Sequence, residues 1–371
     1  MHNSAGKSLQ PATRARAAVL PFVIIIAIAF FTGCGDSGGS KQEHAYVSAS
    51  EAVLRDRVAA LYSKTGVLHN GDRVLILERM QNHRFVRVRS DKGEEGWVQE
   101  RYLIDQETYD QFTHLADQFK NVAGQAVAVT RAQVNLHVLP GRKTEHFYQL
   151  NENEKVDLLQ RQSVDKNANP AMQAKEDKDK KEADAEPATG EESSSETPAP
   201  TPIPEDWWLI RDSQKRMGWV LGRLLYVDVP IEIGQYAEGQ RVVAFFVLDQ
   251  VEDGDKKVPE YLVLLTENKD GMPYDYDQVR VFTWNVRRHR YETAYREHDV
   301  SGFLPVTLAQ ENFEKEGNLR TFTLRVADQS GKIHDQKYKF NPPLVHLVLA
   351  PGEEPPPKVR HKPAKSRRAH H

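Results

Sequence analysis

The chain has 371 residues, with 50 Lys and Arg set against 53 Asp and Glu, a formal net charge of -3, and a single cysteine. The near-neutral balance argues against a nucleic-acid partner, which selects a basic surface. One cysteine excludes an intrachain disulfide, so any folded domain must be held by its packed core. The length accommodates two or three domains.

Lys7, Arg14 and Arg16 precede an uncharged apolar stretch from Ala17 to Phe31, and no acidic residue comes before Asp36. The stretch closes on Phe31-Thr32-Gly33-Cys34. A basic n-region, an apolar h-region and small residues before a cleavage point make an export signal. A membrane span needs about 18 to 20 apolar residues, more than this run supplies, and Pro21 interrupts it. Residues 1–33 therefore resemble a bacterial lipoprotein signal peptide. The resemblance implies that Cys34 is lipidated and becomes the first residue of an exported chain. It would then be anchored in the bilayer at the periplasmic face of the inner or outer membrane. Two or three acyl chains, each contributing about 0.8 kcal/mol per buried methylene, anchor stably where one does not. Residues 34–44 are read as a polar tether.

Residues 45–104 and 126–226 resemble one another. Positions 54–79 align with 136–161 at a constant offset of 82, with Leu54/Leu136, Leu68/Leu150, Val74/Val156, Leu77/Leu159 and Arg79/Arg161 identical. Positions 85–103 align with 207–225 at an offset of 122, with Arg89/Arg211, Gly96/Gly218, Trp97/Trp219, Val98/Val220 and Leu103/Leu225 identical. The second copy therefore carries an insertion. Each copy reads as short strands: Val74 to Leu77 follows the turn pair Asn70-Gly71, and Phe85 to Arg89 alternates apolar and basic residues. Short strands this dense predict a small closed barrel.

Gly71-Asp72-Arg73-Val74, Phe85 to Val88, Gly96-Trp97-Val98 and Tyr102-Leu103 in the first copy resemble the bacterial SH3-like family, as do Val134-Asn135-Leu136-His137, Trp207 to Ile210 and Gly218-Trp219-Val220 in the second. The first copy departs at Ala52-Val53-Leu54-Arg55 and the second at Asn153-Glu154. The resemblance implies two domains, at 45–104 and 125–228, with Phe85, Trp97, Trp207 and Trp219 filling barrel cores. Between them, Thr108 and Gln111 resemble a capping box. Tyr109, Phe112, Ala116 and Phe119 follow at helical spacing, which predicts a linker helix over 108–121 within 105–124.

Residues 162–206 are read as a disordered insertion at the tip of a hairpin. Between positions 171 and 199 lie nine acidic and four basic side chains and no aromatic one, too little apolar area to offset ordering entropy. Residues 231–350 carry strand runs at Val242–Leu248, Tyr261–Leu265, Val279–Val286, Arg290–Tyr295, Leu319–Ala327 and Ile333–Phe340, separated by turn residues. They predict an antiparallel β-sandwich or twisted-sheet domain that resembles no known family. The tail, 351–371, ends with six Lys or Arg, three His and no acid over 358–371, and is read as disordered. The whole is expected to be all-β: two small SH3-like barrels joined by a short helix, followed by the antiparallel domain.

Catalysis is not expected. Cell-wall peptidases and transpeptidases of the cysteine type need a thiolate beside a base, and the only thiol is Cys34. No His-Glu-x-x-His run suggests zinc, and no metal or other cofactor is expected. Two readings remain. In the first, the tandem domains bind peptidoglycan or cell-wall peptides, with the rings of Tyr62, Tyr102, Tyr148, Trp208 and Tyr226 lining grooves. In the second, the protein is an envelope scaffold that contacts other envelope proteins. Arg287, Arg288 and Arg290 form the densest basic cluster, read either as an anion site or as a solvated hairpin. The anchor is tested by metabolic labelling with a fatty acid in a bacterial host. Wild-type protein should carry label in the membrane fraction, and Cys34→Ser should carry none.

Overall fold

In Phe85–Ser90 the side chains of Val86, Val88 and Ser90 are buried while Arg87 and Arg89 are exposed, the period-two pattern of a strand with one covered face. In Pro204–Asp212 every residue from Glu205 onward is buried, which requires cover on both faces. That contrast organises the structure. The computed structural model describes residues 42–81, 84–167 and 202–349. Cys34, the basic tail and most of the acidic insertion lie outside the described residues.

The first sheet contains β1 (His44–Val47), β2 (Glu51–Arg55), β3 (Lys64–His69), β4 (Arg73–Arg79), β5 (Phe85–Ser90), β6 (Glu95–Gln99) and β7 (Leu103–Asp105), in the order β3-β2-β6-β5-β4-β1-β7. After helix α1 (Gln106–Phe119) the second sheet contains β8 (Ala126–Thr130), β9 (Val134–His137), β10 (His146–Leu150), β11 (Lys155–Asp165), β12 (Pro204–Asp212), β13 (Met217–Leu221) and β14 (Leu225–Val227). Its order, β10-β9-β13-β12-β11-β8-β14, matches the first strand for strand. The sequence repeat is thus a repeat of topology. Gly96 and Gly218 hold the same place in each. A Cβ there would lie 2.9 Å from Leu54 Cβ or 2.6 Å from Leu136 Cβ, so only glycine lets these strands approach so closely.

Closed barrels are not what forms. Both sheets are open, with β3 and β7, or β10 and β14, at the ends of the strand order. Strand β7 is three residues long and runs directly into α1, which leaves no length to bridge back to β3. The four aromatics assigned to barrel cores also lie elsewhere. The first core is built from the other side of the sheet, by Leu54, Leu68, Val74, Val86, Val88 and Val98. Phe85 and Trp97 are half-buried on the opposite face. Trp207 and Trp219 share that opposite face in the second sheet, where they cluster with Leu159, Leu209 and Leu221 under Leu115, Ala116 and Phe119 of α1.

Helix α1 begins at Gln106, ahead of the expected 108, because the Asp105 side chain accepts a hydrogen bond from Thr108 N at 2.8 Å and serves as its N-cap. Its apolar stripe meets both sheets. Tyr109 stacks on Tyr46 of β1 with ring centroids 3.7 Å apart and meets Phe147 of β10 edge-on. Arg211 Nη2 donates to the carbonyls of Phe119 and Val122 at 2.8 and 2.7 Å, satisfying acceptors that a helix end leaves free.

The insertion is narrower than the composition implies. Strands β11 and β12 pair continuously out to Asp165 opposite Pro204, apart from one bulge between Leu158 and Gln160. Residues 162–165 and 204–206 therefore belong to the hairpin, and Glu205 and Asp206 are buried.

The third sheet is antiparallel throughout: β15 (Arg241–Asp253), β16 (Lys256–Thr266), β17 (Tyr276–Asn285), β18 (Arg290–Phe313), β19 (Gly317–Ala327), β20 (Ile333–Asn341) and β21 (Leu344–Leu347), paired in chain order. The seven strands form one sheet, and β15 also approaches β19. The apolar run in β16 serves two cores. Leu262 and Leu264 join a cluster that continues through α1, the second sheet and Tyr46 and Ile104 of the first. Tyr261, Val263 and Leu265 face Ile233 of the short helix α2 (Ile231–Gly234). All described residues fall within one compact unit, Gln42–His371. Among them no helix is long and apolar enough to cross a membrane.

One carboxyl in the third sheet is buried without full compensation. Glu260 is 1% exposed. Its Oε1 accepts from Trp284 N at 3.3 Å, and its Oε2 has no partner. Burial raises its pKa from 4.5 to about 7. Between those values the unfolded chain has released the proton while the folded chain retains it, so this group makes stability fall as pH rises. Glu260→Gln should leave stability nearly unchanged at pH 4.5 and raise the melting temperature at pH 8, as read by circular dichroism.

Candidate functional site

The second and third sheets meet around one buried guanidinium. Arg161, on β11, has a side chain 9% exposed and Asp206, on β12, one 1% exposed. Arg161 Nη1 binds Asp206 Oδ1 at 2.8 Å, and its Nε binds Asp275 Oδ1 at 2.9 Å. Its Nη2 donates to the carbonyls of Met272 and Tyr274 at 2.8 and 2.5 Å. Asp206 Oδ1 also accepts from Gly271 N at 3.0 Å, and its Oδ2 faces Arg241 Nη2 at 3.4 Å. Arg241 in turn pairs with Asp270 at 3.0 Å. Asp275 Oδ2 accepts from Leu304 N at 2.8 Å. Gly271 has φ +83, and a Cβ on it would lie 2.3 Å from Pro204. The β16–β17 loop is thus moulded onto the β11–β12 hairpin. Arg79, the counterpart of Arg161 in the first copy, pairs instead with Glu43 and Glu100 near the surface.

Above this network lies a cleft of about 350 Å³. Leu158, Trp208, Val242 and Val243 supply apolar walls, and Arg131, Tyr226 and Asn268 are exposed lining residues. Arg131 sits 5.6 Å from the Tyr226 ring centroid, and among the described residues it has no carboxylate partner. Two buried polar atoms belonging to lining residues also lack partners: Gln240 Oε1 and Thr266 Oγ1. Both atoms are enclosed by protein rather than open to the cleft. The cleft therefore offers an exposed cation, a ring face and apolar walls.

Two residues singled out from sequence, Trp208 and Tyr226, meet in this cleft, with Trp208 8% exposed. The others are dispersed. Tyr62 lies under the Arg55 guanidinium at 4.1 Å on the outer side of the first sheet. Tyr102 packs against the first core, with Arg101 5.0 Å from its ring. Tyr148 is held among Phe112, Phe147 and Arg216, and burial pushes its hydroxyl up to about 12. Arg287, Arg288 and Arg290 stand exposed on the β17–β18 hairpin, where Arg288 and Arg290 share Glu292 at 3.0 and 3.3 Å. Arg131, Gln240 and Thr266 carried no local motif. Arg161 stood out in the sequence only as an identity between the copies.

Residues 57–104 match the family described as Bacterial SH3 domain. The match covers the first copy alone, so the expectation of two such domains is corrected to one. No curated protein matches the chain. Among solved structures, an NlpC/P60 family protein from Bacillus cereus is 11% identical, over 56% of this chain and 65% of that one, at a TM-score of 0.21. The chain thus spans less than two thirds of that protein. NlpC1 from Trichomonas vaginalis is 10% identical over 68% of this chain and 87% of its own, at 0.15. NlpC2 from the same organism is 11% identical over 83% and 96%, at 0.15. The C-terminal region, in which the sequence shows no familiar motif, thus belongs to a chain with partial likeness to NlpC/P60 structures. The described residues contain no cysteine, so no Cys-His-Glu triad is formed among them, and no group of three or more His, Cys, Asp or Glu among them is placed to hold a metal ion.

Removing one partner of a buried ion pair leaves the other charge uncompensated, which costs about 3 to 5 kcal/mol. Arg161→Ala should lower unfolding free energy by that amount in urea titration. Arg288→Ala, at an exposed pair, should change it by less than about 1 kcal/mol.

Proposed function

We propose that this protein is a lipid-anchored, non-catalytic binding protein of the bacterial cell envelope that holds short cell-wall peptides in the cleft between its second and third sheets. The observation that carries the reading is the set of groups in the cleft. A short peptide has a carboxylate for Arg131 and small apolar side chains for the walls around Trp208. Arginine suits a carboxylate because its planar fork matches two oxygens. Pockets at the junction of packed units, apolar with a few fixed polar groups, are the usual form of small-ligand sites. The match of residues 57–104 to the Bacterial SH3 domain family and the signal ending at Cys34 support an envelope location.

The anchor and the cleft divide the work in this reading. In it Cys34 holds the protein at a membrane surface and the cleft binds the peptide. Recognition then needs no chemistry beyond hydrogen bonds and an ion pair.

Co-sedimentation of chain 42–371 with purified sacculi tests the reading. Wild-type protein should pellet at moderate ionic strength, and Arg131→Glu should weaken pelleting by about tenfold, the loss of one charge-assisted contact. No pelleting of the wild type, or unchanged pelleting of Arg131→Glu, would overturn it.

A further inference from the structure

The repeat allows the two sheets to be compared position by position on their outer faces. In the second sheet that face is Leu159, Trp207, Leu209, Trp219 and Leu221, and α1 covers it with Leu115, Ala116 and Phe119. Arg211 then grips the carbonyls at the end of the helix. In the first sheet the same positions hold Leu77, Phe85, Arg87, Trp97 and Gln99, with Arg89 in the place of Arg211. Nothing among the described residues covers them. Leu77 is 37% exposed, Phe85 and Trp97 are half-buried, and Arg87 and Arg89 are exposed.

We propose that the outer face of the first sheet is a docking site for an acidic amphipathic helix of a partner protein. The aromatic floor is retained from the copy that holds a helix, and so is the arginine that binds the helix end. What changes is charge. Arg87 replaces Leu209, and Arg55 lies over Tyr62 and within 5.5 Å of the Phe85 centroid. Arg87 and Arg89 share one carboxylate, Glu95, at 3.1 and 2.6 Å, and Arg55 has none among the described residues. Exposed Glu78 stands opposite Arg87 in β4, so the face carries three arginines against two carboxylates, is net positive and selects acidic residues on its occupant. Beside it, the 56–63 loop raises Val58, Leu61 and Tyr62, which are 37%, 88% and 41% exposed, as an apolar lip. Exposed apolar groups rimmed by charge mark interaction surfaces.

The helix that covers the second sheet shows what such an occupant looks like. Over residues 105–121 it carries Asp105, Glu107, Asp110 and Asp117 against Lys120 alone, with Phe112, Leu115 and Phe119 on its stripe. A fluorescent synthetic peptide of this sequence is the probe, titrated against the full chain and followed by anisotropy, beside a scrambled peptide of the same composition. The peptide should bind, and the scrambled one should bind at least about tenfold more weakly. The doubly charge-reversed variant Arg55→Glu/Arg87→Glu and the single variant Leu61→Glu should each weaken binding about tenfold, with unchanged circular dichroism. Leu61 is too exposed for its replacement to disturb the fold. Equal binding of the two peptides, or binding untouched by both variants, would overturn the proposal. So would self-association of the chain that the double variant abolishes, since the face would then belong to a second copy.

Discussion

The Arg161 guanidinium organises much of what surrounds it. Four hydrogen bonds leave it, to two carboxylates and two backbone carbonyls, of the five N–H donors that an arginine offers. Three of those acceptors come from the segment Met272–Asp275 between β16 and β17, and the fourth, Asp206, comes from the strand beside Arg161. A point charge could not fix so many directions at once, whereas a planar fork can. The loop's path, the position of Gly271 against Pro204 and the floor of the cleft follow from it. Ion pairs of this kind add little net stability over apolar packing but are costly to break. Here the pair sets which hairpin of the second sheet meets which loop of the third.

The two copies of the repeat differ mainly in what lies on their outer faces. In the second copy Trp207, Leu209, Trp219 and Leu221 are covered by α1, so that sheet is buried on both sides and lies in the middle of the molecule. In the first copy arginine and glutamine stand at two of those positions, and no described residue covers that part of the face. A single topology thus serves once as a central layer and once as a terminal one. The difference is written in the alternation of β5 and the loss of alternation in β12.

Much of this was legible in the sequence. The repeat was visible because identical residues kept one register on each side of the insertion, and the strand order of the two sheets agrees with it. The third sheet was visible as apolar runs between turns, although periodicity gave no sign that its seven strands would pair in chain order. The assignment of Phe85 and Trp97 to a core failed for a physical reason: large rings suggest interiors, but strand parity places them opposite Val86, Val88 and Val98, whereas Trp207 and Trp219 are buried, on the α1 side of the second sheet. Asp206 was lost in an acidic, proline-rich stretch whose composition reads as solvated. Its burial depends on Arg161, 45 residues earlier, and on a loop more than 60 residues later. No local pattern carries such a contact. Arg131, Gln240 and Thr266 were missed likewise, since each is ordinary where it stands and only the fold brings them to one cleft.

The place of β1 in the first sheet has a mechanical consequence. It is the first described strand, and it is bonded on both sides, to β4 through His44–Tyr46 and to β7 through Ala45–Val47. Tension on the chain ahead of residue 42 would pull β1 along its own axis. The rungs of both ladders would then bear the load together, in shear, rather than opening one at a time as at a peeled edge. The stacking of Tyr46 on Tyr109 would pass that load directly to α1 and so to the middle of the molecule. A folded body that enters its first sheet this way resists being dragged by its leading end.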